Sequence, residues 1–407
     1  MHNTILHLSD IQYGRHHVDK DNNREPLYPE KNYSLQLEKI LDDLDILKNQ
    51  DVKPGFIVVT GDIAELSRRE EYQLADKFLS GISGHLKIDR RCVIMVPGNH
   101  DINRNVCKAI RTLSEEDDEK FKRPYFVKFK YYQEFFHKFY EQAKFPKGLK
   151  PYKFAENQLF VNFYFPDQGI VFVGLNSCID ESEIPPHRGN ITTDQVRKAI
   201  DDLNAYGHEN RMMRIALMHH NFIRSPNNDD ENLIDADEIK PHLIESNFKI
   251  ILHGHQHVPN NEITGKNNNV IHILATGSAG LDSETLPDNS RRYQIIDIHD
   301  NQVKVYMRVF DNTKTYKTGK GAWRPDLEPS QKDIYYEFKL SGEIKKQAVQ
   351  KQDVQYNGYQ DSEKPDQEIK TYCKKAESLH SNLPVAGFVT QLKAPIDIDD
   401  IYVPCTR

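Results

Sequence analysis

Five short polar motifs, each placed directly after an apolar run, contain the residues of this sequence that are best suited to chemistry. In chain order they are Asp10-Ile11-Gln12, Gly61-Asp62, Gly98-Asn99-His100-Asp101, His219-His220 and Gly254-His255-Gln256-His257. Carboxylate, amide and imidazole groups together suit Mn, Fe or Zn better than Ca. Each motif alone is common by chance, but the ordered set of five is specific, and it predicts a metal-dependent site.

The chemistry that this residue set favours is the hydrolysis of a phosphate ester. Such esters resist hydrolysis because the anionic phosphoryl group repels nucleophiles, and two metal ions roughly 3.5–4 Å apart can bind its oxygens and activate water. A carboxylate that bridges the two ions keeps the pair together. Asp62, at the end of a strongly apolar run, is the candidate for this bridge.

The apolar runs predict the strands that position the motifs. They comprise residues 4–9, 56–60, 93–96, 170–175, 214–218, 249–253 and 270–276. Between the first two runs, leucine and isoleucine recur at helical spacing from Leu35 to Leu47. Short strands with helices between them predict a layered α/β domain, in which functional residues follow the carboxyl ends of strands. The motifs occupy such positions.

The order of the motifs resembles that of the calcineurin-like metallophosphoesterases, over about residues 4–310. That family includes protein phosphatases, purple acid phosphatases, cyclic-nucleotide phosphodiesterases and a nuclease of double-strand-break repair. The resemblance implies an α/β fold, a four-layer α/β/β/α sandwich with a helical insertion in this chain, and a dinuclear site at one sheet edge. It implies a first metal held by Asp10, Gln12, Asp62 and His257, and a second held by Asp62, Asn99, His219 and His255.

The resemblance gives the remaining motif residues other roles. His100 would stabilise the transition state or protonate the leaving oxygen, and Asp101 would orient His100. His219 would be the metal ligand because it directly follows the apolar run. His220 would then lie on the substrate side or point outward, and we predict it as a substrate-binding residue.

Gln12 departs from the family pattern, which usually has histidine at this position. An amide oxygen is a harder and weaker donor than imidazole, so the first metal would be looser or biased toward Mn over Zn. Two alternatives remain: His16 or His17 supplies the ligand from the same loop, or Gln12 faces away and the first site is incomplete. We expect two divalent ions, Mn first, with Fe, Zn or Mg as alternatives.

The motifs leave the substrate open. The sequences GDIAE (61–65) and GNHD (98–101) differ from the GD-x-x-D-R-G and GNHE signatures of Ser/Thr protein phosphatases and are closer to the phosphodiesterase branch. We expect a nuclease, with a phosphodiesterase for cyclic or small nucleotides as one alternative and a degenerate phosphate-binding module as another. The net charge of -7 excludes a polycationic nucleic-acid coat but permits a local basic groove.

One stretch is a candidate nucleic-acid surface. Residues 120–154, which we predict as an insertion, interleave basic and aromatic residues, including Lys128, Phe129, Lys130, Tyr131 and Tyr132. Such a surface could bind a phosphate backbone and stack bases. The alternative is an amphipathic helical cap whose aromatic side chains belong to the core.

Composition divides the chain into three predicted parts. Residues 1–340 form the metallophosphoesterase domain, 341–370 a polar linker or helix, and 371–407 a C-terminal segment. Residues 383–404 resemble the segment that precedes the nucleotide-binding domain of bacterial STAND or NACHT-type ATPases. This resemblance implies the N-terminal effector part of a longer antiviral defence protein, with the ATPase domain as a partner.

Cysteine usage and hydropathy bear on location. The five cysteines are odd in number and show no CxxC spacing, which favours a reducing compartment. No apolar run is long enough to span a membrane, and the first strand leaves no room for a signal peptide. We predict a cytoplasmic protein without a membrane partner, in which an oligomer is possible in principle.

Overall fold

The computed structural model describes most of the first 340 residues and little beyond them. It covers residues 2–340 except 15, 19–23, 27–29, 117–125, 186, 207–211, 224–231, 267–268, 281–289, 317–318 and 328–332, and it also describes 382–383 and 396–397. The helices are α1 Glu30–Lys48, α2 Arg69–Leu86, α3 Arg104–Glu116, α4 Lys130–Tyr140, α5 Thr193–Tyr206 and α6 Ala236–Glu245.

The strands include all seven that the apolar runs predict, with ends that agree within two residues. In chain order they are β1 His2–Leu8, β2 His16–Val18, β3 Arg24–Pro26, β4 Phe56–Thr60, β5 Val93–Val96, β6 Phe160–Phe165, β7 Ile170–Leu175, β8 Met213–Leu217, β9 Phe248–His253, β10 Asn260–Lys266, β11 Asn269–Ala275, β12 Arg292–His299, β13 Gln302–Tyr316, β14 Gly319–Pro325, β15 Tyr336–Lys339, β16 Asn382–Leu383 and β17 Ile396–Asp397.

Two mixed sheets carry the motifs. The first has the order β14-β13-β12-β1-β4-β5, with β15 paired to β13, and the second has the order β10-β11-β9-β8-β7-β6. Within them β1, β4 and β5 run parallel, as do β7, β8 and β9. Each parallel set therefore ends at one edge of its sheet, where the motif loops begin.

The second sheet separates two hydrophobic cores, because successive side chains of a strand point to opposite faces. Phe172 of β7 and Leu252 of β9 belong to the core shared with the first sheet, α1 and α2. Their neighbours Val173 and Ile251 belong to the core that α5 and α6 cover. Burial on both faces explains why these strands read as continuous apolar runs. The resulting arrangement is the predicted α/β fold, with two sheets flanked by helices.

The aromatic residues of the predicted insertion form a cluster around α4. Tyr132 lies 4.9 Å from Phe154 between ring centroids, and Phe136 lies 4.7 Å from Tyr140. The buried aromatic residues of α4 are Tyr132, Phe135, Phe136, Phe139 and Tyr140. They recur at the three- and four-residue spacing of one helix face, which is typical of core packing.

This packing corrects the expectation of a base-stacking surface. Phe129 and Tyr132 are buried, and Lys128 is only 1% exposed, so these three cannot contact a nucleic acid. Lys130 is exposed and Tyr131 partly so. The alternative prediction, a helical cap whose aromatic side chains join the core, fits the described part of residues 120–154.

The chain divides into two compact units, Met1–Val354 and Gln355–Arg407. The predicted linker, 341–370, lies outside the described residues. Within 371–407 the structure describes only the pairing of β16 with β17. The three-part division thus stays a prediction. Among the helices that the structure describes, none combines the length and apolar composition needed to cross a bilayer.

Candidate metal centre

The motif loops are held together by backbone hydrogen bonds between neighbouring strands. The N–H of Asp10 donates to the carbonyl of Gly61 at 3.1 Å, and the N–H of Gln12 donates to the carbonyl of Asp62 at 2.8 Å. Gly98 is required for close approach, because a Cβ there would lie 2.1 Å from Asp62 Oδ1. The loops after β1, β4 and β5 therefore converge at one place.

Five motif residues adopt left-handed backbone conformations, which non-glycine residues rarely do. The φ angles are 52° for Asp10, 47° for Gln12, 51° for Asp62, 74° for His255 and 57° for His257. Each such residue costs roughly 1–3 kcal/mol, and residues of this kind concentrate at functional sites. The strained backbone at these five residues supports a functional site, in which the directions of the side chains are enforced at the cost of backbone strain.

Asp62 is the centre of the arrangement. Its Oδ1 lies 3.4 Å from His219 Nε2 and accepts the backbone N–H of His100 at 2.8 Å, while its Oδ2 lies 3.2 Å from Gln12 Nε2. Asp10, Asp62 and His219 each present a ligand atom within 4.8 Å of the other two. The carboxylate predicted as the bridge thus contacts residues of both predicted ligand sets.

The second set converges on His219 Nε2. The Nδ1–H of His219 can donate to the carbonyl of Thr60 at 2.8 Å, which leaves the Nε2 lone pair for another partner. Nε2 lies 3.0 Å from Asn99 Oδ1 and 3.0 Å from His255 Nδ1. When His219 Nε2 is unprotonated, Asn99 Oδ1 faces acceptors only; with the amide turned about, its nitrogen would donate to His219 and Asp62 instead. A cation among these atoms would satisfy the orientation with oxygen inward.

The first set gathers around Asp10. Its Oδ1 lies 3.2 Å from His257 Nε2, and its Oδ2 accepts the backbone N–H of His255 at 3.1 Å. Gln12 is buried, and its Oε1 has no hydrogen-bond partner within the described part of the chain. Gln12 therefore does not face away from the site. The side chains of His16 and His17 lie outside those that the structure describes, so their alternative role stays a prediction.

Electrostatics also suit a cation. Burial alone would raise the pKa of Asp62, but the His219 imidazole outweighs it and holds this pKa well below its usual range. Burial would lower the pKa of His219, but the Asp62 and Asp10 carboxylates raise it to about 10. In the metal-free protein, the Asp62 and Asp10 carboxylates thus favour the protonated form of His219. Metal binding would displace that proton, as is usual for histidine ligands.

His100 is oriented by a different residue from the one predicted. Its Nδ1 lies 2.9 Å from the carbonyl of Glu65 and 3.6 Å from the Glu65 carboxylate. Asp101 instead accepts the backbone N–H groups of Ile63, Ala64 and Gly98. The expectation that Asp101 orients His100 is wrong, because a fully buried carboxylate pairs with the loop backbones around it. Glu65, the fifth residue of GDIAE (61–65), is the partner of His100 that the sequence analysis missed.

His220 also lies elsewhere than predicted. It is fully buried, with Nδ1 2.8 Å from Ser177 Oγ and Nε2 3.2 Å from Glu181 Oε1. It is not on the substrate side, because both ring nitrogens have protein partners. Burial would raise the pKa of Glu181, but hydrogen bonds from His187 and His220 lower it to about 2. No sequence motif marked Ser177 or Glu181, which belong to an irregular loop.

Comparisons with known proteins identify the family. The family model for calcineurin-like phosphoesterases matches residues 3–259 of the 407-residue chain. The chain belongs to this family of metal-dependent phosphoesterases. The donor set described above fits divalent metals, because carboxylate, amide and imidazole atoms converge and buried acceptors such as Gln12 Oε1 lack partners among the described residues.

Individual relatives are distant. The metallophosphoesterase-like protein YydB of Bacillus subtilis (strain 168), itself uncharacterised, is 26% identical over 259 residues, which are 62% of this chain and 51% of the relative. The chain thus spans about half the length of that relative. A dimetal phosphatase from Danio rerio aligns at 12% identity and a TM-score of 0.45, over 79% of this chain and 98% of its own. GAP50 of Plasmodium, the anchor in the inner membrane complex, aligns at 13% identity and a TM-score of 0.38, over 85% of this chain and 90% of its own.

Proposed function

We propose that this chain is a phosphodiester hydrolase that uses two metal ions, with nucleic acid as its substrate. The observation that carries the proposal is the convergence of the predicted ligands on Asp62. Asp10, Gln12, Asp62 and His257 would hold one ion, and Asp62, Asn99, His219 and His255 the other. When bound, such ions supply Lewis acidity and activate water. Mn is the first expectation, with Fe, Zn or Mg as alternatives.

His100 is the residue that would assist the leaving oxygen. Its backbone N–H is bound to the central Asp62 carboxylate, and its side chain is 24% exposed. Because Nδ1 is engaged by Glu65, Nε2 is the nitrogen available to a substrate. A protonated ring can donate from Nε2 to an oxygen that gains negative charge as the ester bond breaks.

Two sequence features support a nucleic-acid substrate. GDIAE and GNHD differ from the protein-phosphatase signatures, and residues 383–404 resemble the segment before the ATPase domain of STAND or NACHT-type defence proteins. In such a protein the phosphoesterase would be a nuclease effector in the cytoplasm, and the ATPase domain would be its partner. The buried aromatic cluster does not contribute to this support.

That same burial favours a second candidate, a phosphodiesterase for cyclic or small nucleotides. A small diester needs no extended stacking surface, and Phe129 and Tyr132 do not provide one. A phosphate-binding module without activity is the third candidate, and it follows from glutamine at position 12 instead of the usual histidine.

The test is hydrolysis by the purified 407-residue chain with Mn²⁺ against a small panel. The panel contains bis-p-nitrophenyl phosphate, cyclic AMP, single-stranded and duplex DNA, and RNA, with Asp62→Ala as the blank. Cleavage of nucleic acid by the wild type alone supports the nuclease. Cleavage of only the small diesters favours the second candidate, and two bound metals without any turnover contradict the hydrolase proposal.

A further inference from the structure

His220 is buried beside the second ligand set, but it is not one of the proposed metal ligands. Its side chain has no exposed surface, and its ring centroid lies 4.5 Å from that of His255. His255 Nδ1 in turn lies 3.0 Å from His219 Nε2. The His220 ring therefore packs against one of the two imidazoles that face the second position.

The hydrogen-bond donors and acceptors around His220 determine how its ring is oriented and which nitrogen carries the proton. Ser177 Oγ accepts the backbone N–H groups of His219 and His220, each at 3.3 Å. A hydroxyl has one proton, so Ser177 donates that proton to His220 Nδ1 at 2.8 Å. The proton of the ring then lies on Nε2, which donates to Glu181 Oε1 at 3.2 Å. Both edges of the ring are held.

Glu181 is held in turn by residues on the far side of its loop. Its Oε2 lies 3.1 Å from His187 Nδ1. Lys128, in the turn before α4, donates its Nζ protons to the carbonyls of Ile179 and Glu181, each at 2.6 Å. The lysine that the sequence offers as a phosphate contact thus anchors this loop.

The space around the His220 ring is closed. A Cβ at position 189 would lie 2.4 Å from His220 Cγ, so glycine is needed there to admit the ring. Ser177 and Glu181 fix the two edges of the ring in one orientation, and the His255 ring packs against it at an interplanar angle of 51°.

We propose that His220 is a positioning residue for the second metal: Ser177 and Glu181 fix its ring, and the ring holds His255 in the orientation that faces His219. The inference rests on the proposed function, because it requires a second ion between His219 and His255. Outer contacts that orient a metal ligand typically contribute 10–100-fold in metal affinity.

The test is isothermal titration calorimetry of the metal-stripped full chain with Mn²⁺ alone. In His220→Phe, which keeps a ring but loses both hydrogen bonds, we expect the ion held by Asp62, Asn99, His219 and His255 to lose roughly 10–100-fold in affinity. His220→Gln can still donate to Glu181, so its loss should be smaller. Asp194→Ala, at an exposed position on α5, is the control and should bind both ions within about threefold of the wild type.

Three results would overturn the proposal: wild-type binding of both ions by His220→Phe, an equal loss in Asp194→Ala, or one bound ion in the wild type. Circular dichroism of the metal-free variants checks folding. If His220→Phe does not fold, His220→Gln decides the question, since wild-type binding there also contradicts the role. Binding needs no substrate, so two ions in an inactive wild type would contradict the proposed hydrolase without affecting this test.

Discussion

The edge where the motif loops meet and the aromatic cluster around α4 are both dense in chemically capable residues, yet their side chains are used differently. At the edge, polar atoms such as Gln12 Oε1 and His255 Nε2 are buried without hydrogen-bond partners in the described structure. In the cluster, aromatic rings contact one another and Lys128 is satisfied by carbonyl oxygens, and of its described polar atoms the Tyr132 hydroxyl is the exception that lacks a partner. The polar atoms at the edge can still bind a ligand, whereas the side chains of the cluster are occupied by packing contacts.

The backbone separates the two regions in the same way. Five residues at the edge have positive φ angles, while among the described residues of α4 and the turn before it none does. Strained backbone persists where surrounding structure enforces a particular side-chain direction. Residue type alone therefore does not distinguish a site from a core. Unsatisfied polar atoms combined with strained backbone do.

The largest effect should come from Asp62→Ala, which removes the carboxylate at the centre of the edge. Because both ligand sets contact this residue, we expect loss of both metals and of all measurable hydrolysis of bis-p-nitrophenyl phosphate. Elemental analysis of the purified variant measures the metals. Asp194→Ala, at an exposed position on α5, is the matched control. Retention of two metals by Asp62→Ala would contradict the bridging role.

His100→Ala should separate chemistry from metal binding at the same edge. His100 contacts Asp62 through its backbone, which alanine preserves, so both metals should remain. Turnover should fall by roughly 10²–10⁴-fold, the range for a general acid or base. Kinetics and metal content are measured on the same preparation. A loss of metal would show that His100 is a ligand, and the assignment would fail.

Phe136→Ala tests the opposite property in the cluster. Phe136 is fully buried among Tyr132, Tyr140 and Phe154, so its truncation should lower the free energy of unfolding by about 3–5 kcal/mol. The folded fraction should keep its metal content and turnover. Urea denaturation measures stability, and Leu113→Ala, 60% exposed on α3, is the control with little expected change. A change in metal content per folded molecule would show that the two regions are coupled.

Glu71→Gln should remove part of the pH dependence of stability. Burial raises the pKa of Glu71 to about 7. The folded state therefore holds the proton more tightly than the unfolded state, and stability falls as pH rises from about 4.5 through 7. The variant should lose about 1–3 kcal/mol less than the wild type between pH 5 and 8. Urea denaturation in the presence of a chelator measures this, with the exposed Glu70→Gln as control. Equal losses in Glu71→Gln and the wild type would exclude the effect.

The sequence predicted those parts of the fold that follow a simple pattern of apolar residues. Strands buried on both faces, such as β7, are continuous apolar runs, and the motif loops follow such runs directly. Strands β2, β3, β6, β10 and β12–β17 were not predicted. Of these, β10 is largely polar, with the sequence NNEITGK, so no apolar run marks it although it pairs with β11 along its whole length.

The site was predictable where a ligand directly follows a strand, and not where a contact depends on loop geometry. Asp62 and His219 lie where the motif order places them. The partners of His100 and His220 depend on how irregular loops fold back, which no spacing rule gives. Glu65 is the intermediate case: it lies within a motif, but only the structure shows it beside His100.

The smallest expected effect, from Gln12→His, addresses how far the edge is optimised for its ligand. Gln12 is buried 3.2 Å from Asp62, and imidazole is a stronger donor to Mn or Zn than an amide oxygen. The variant should therefore keep the first ion and bind it up to about tenfold more tightly, in line with the effect of other changes near metal ligands. Calorimetric titration with Mn²⁺ and with Zn²⁺ measures this, and the gain should be larger for Zn²⁺ because nitrogen ligands favour it. Gln12→Ala is the matched loss of the donor. A sharp fall in affinity in Gln12→His would contradict the ligand assignment, because it would mean that the position needs the shape of glutamine and not a donor atom.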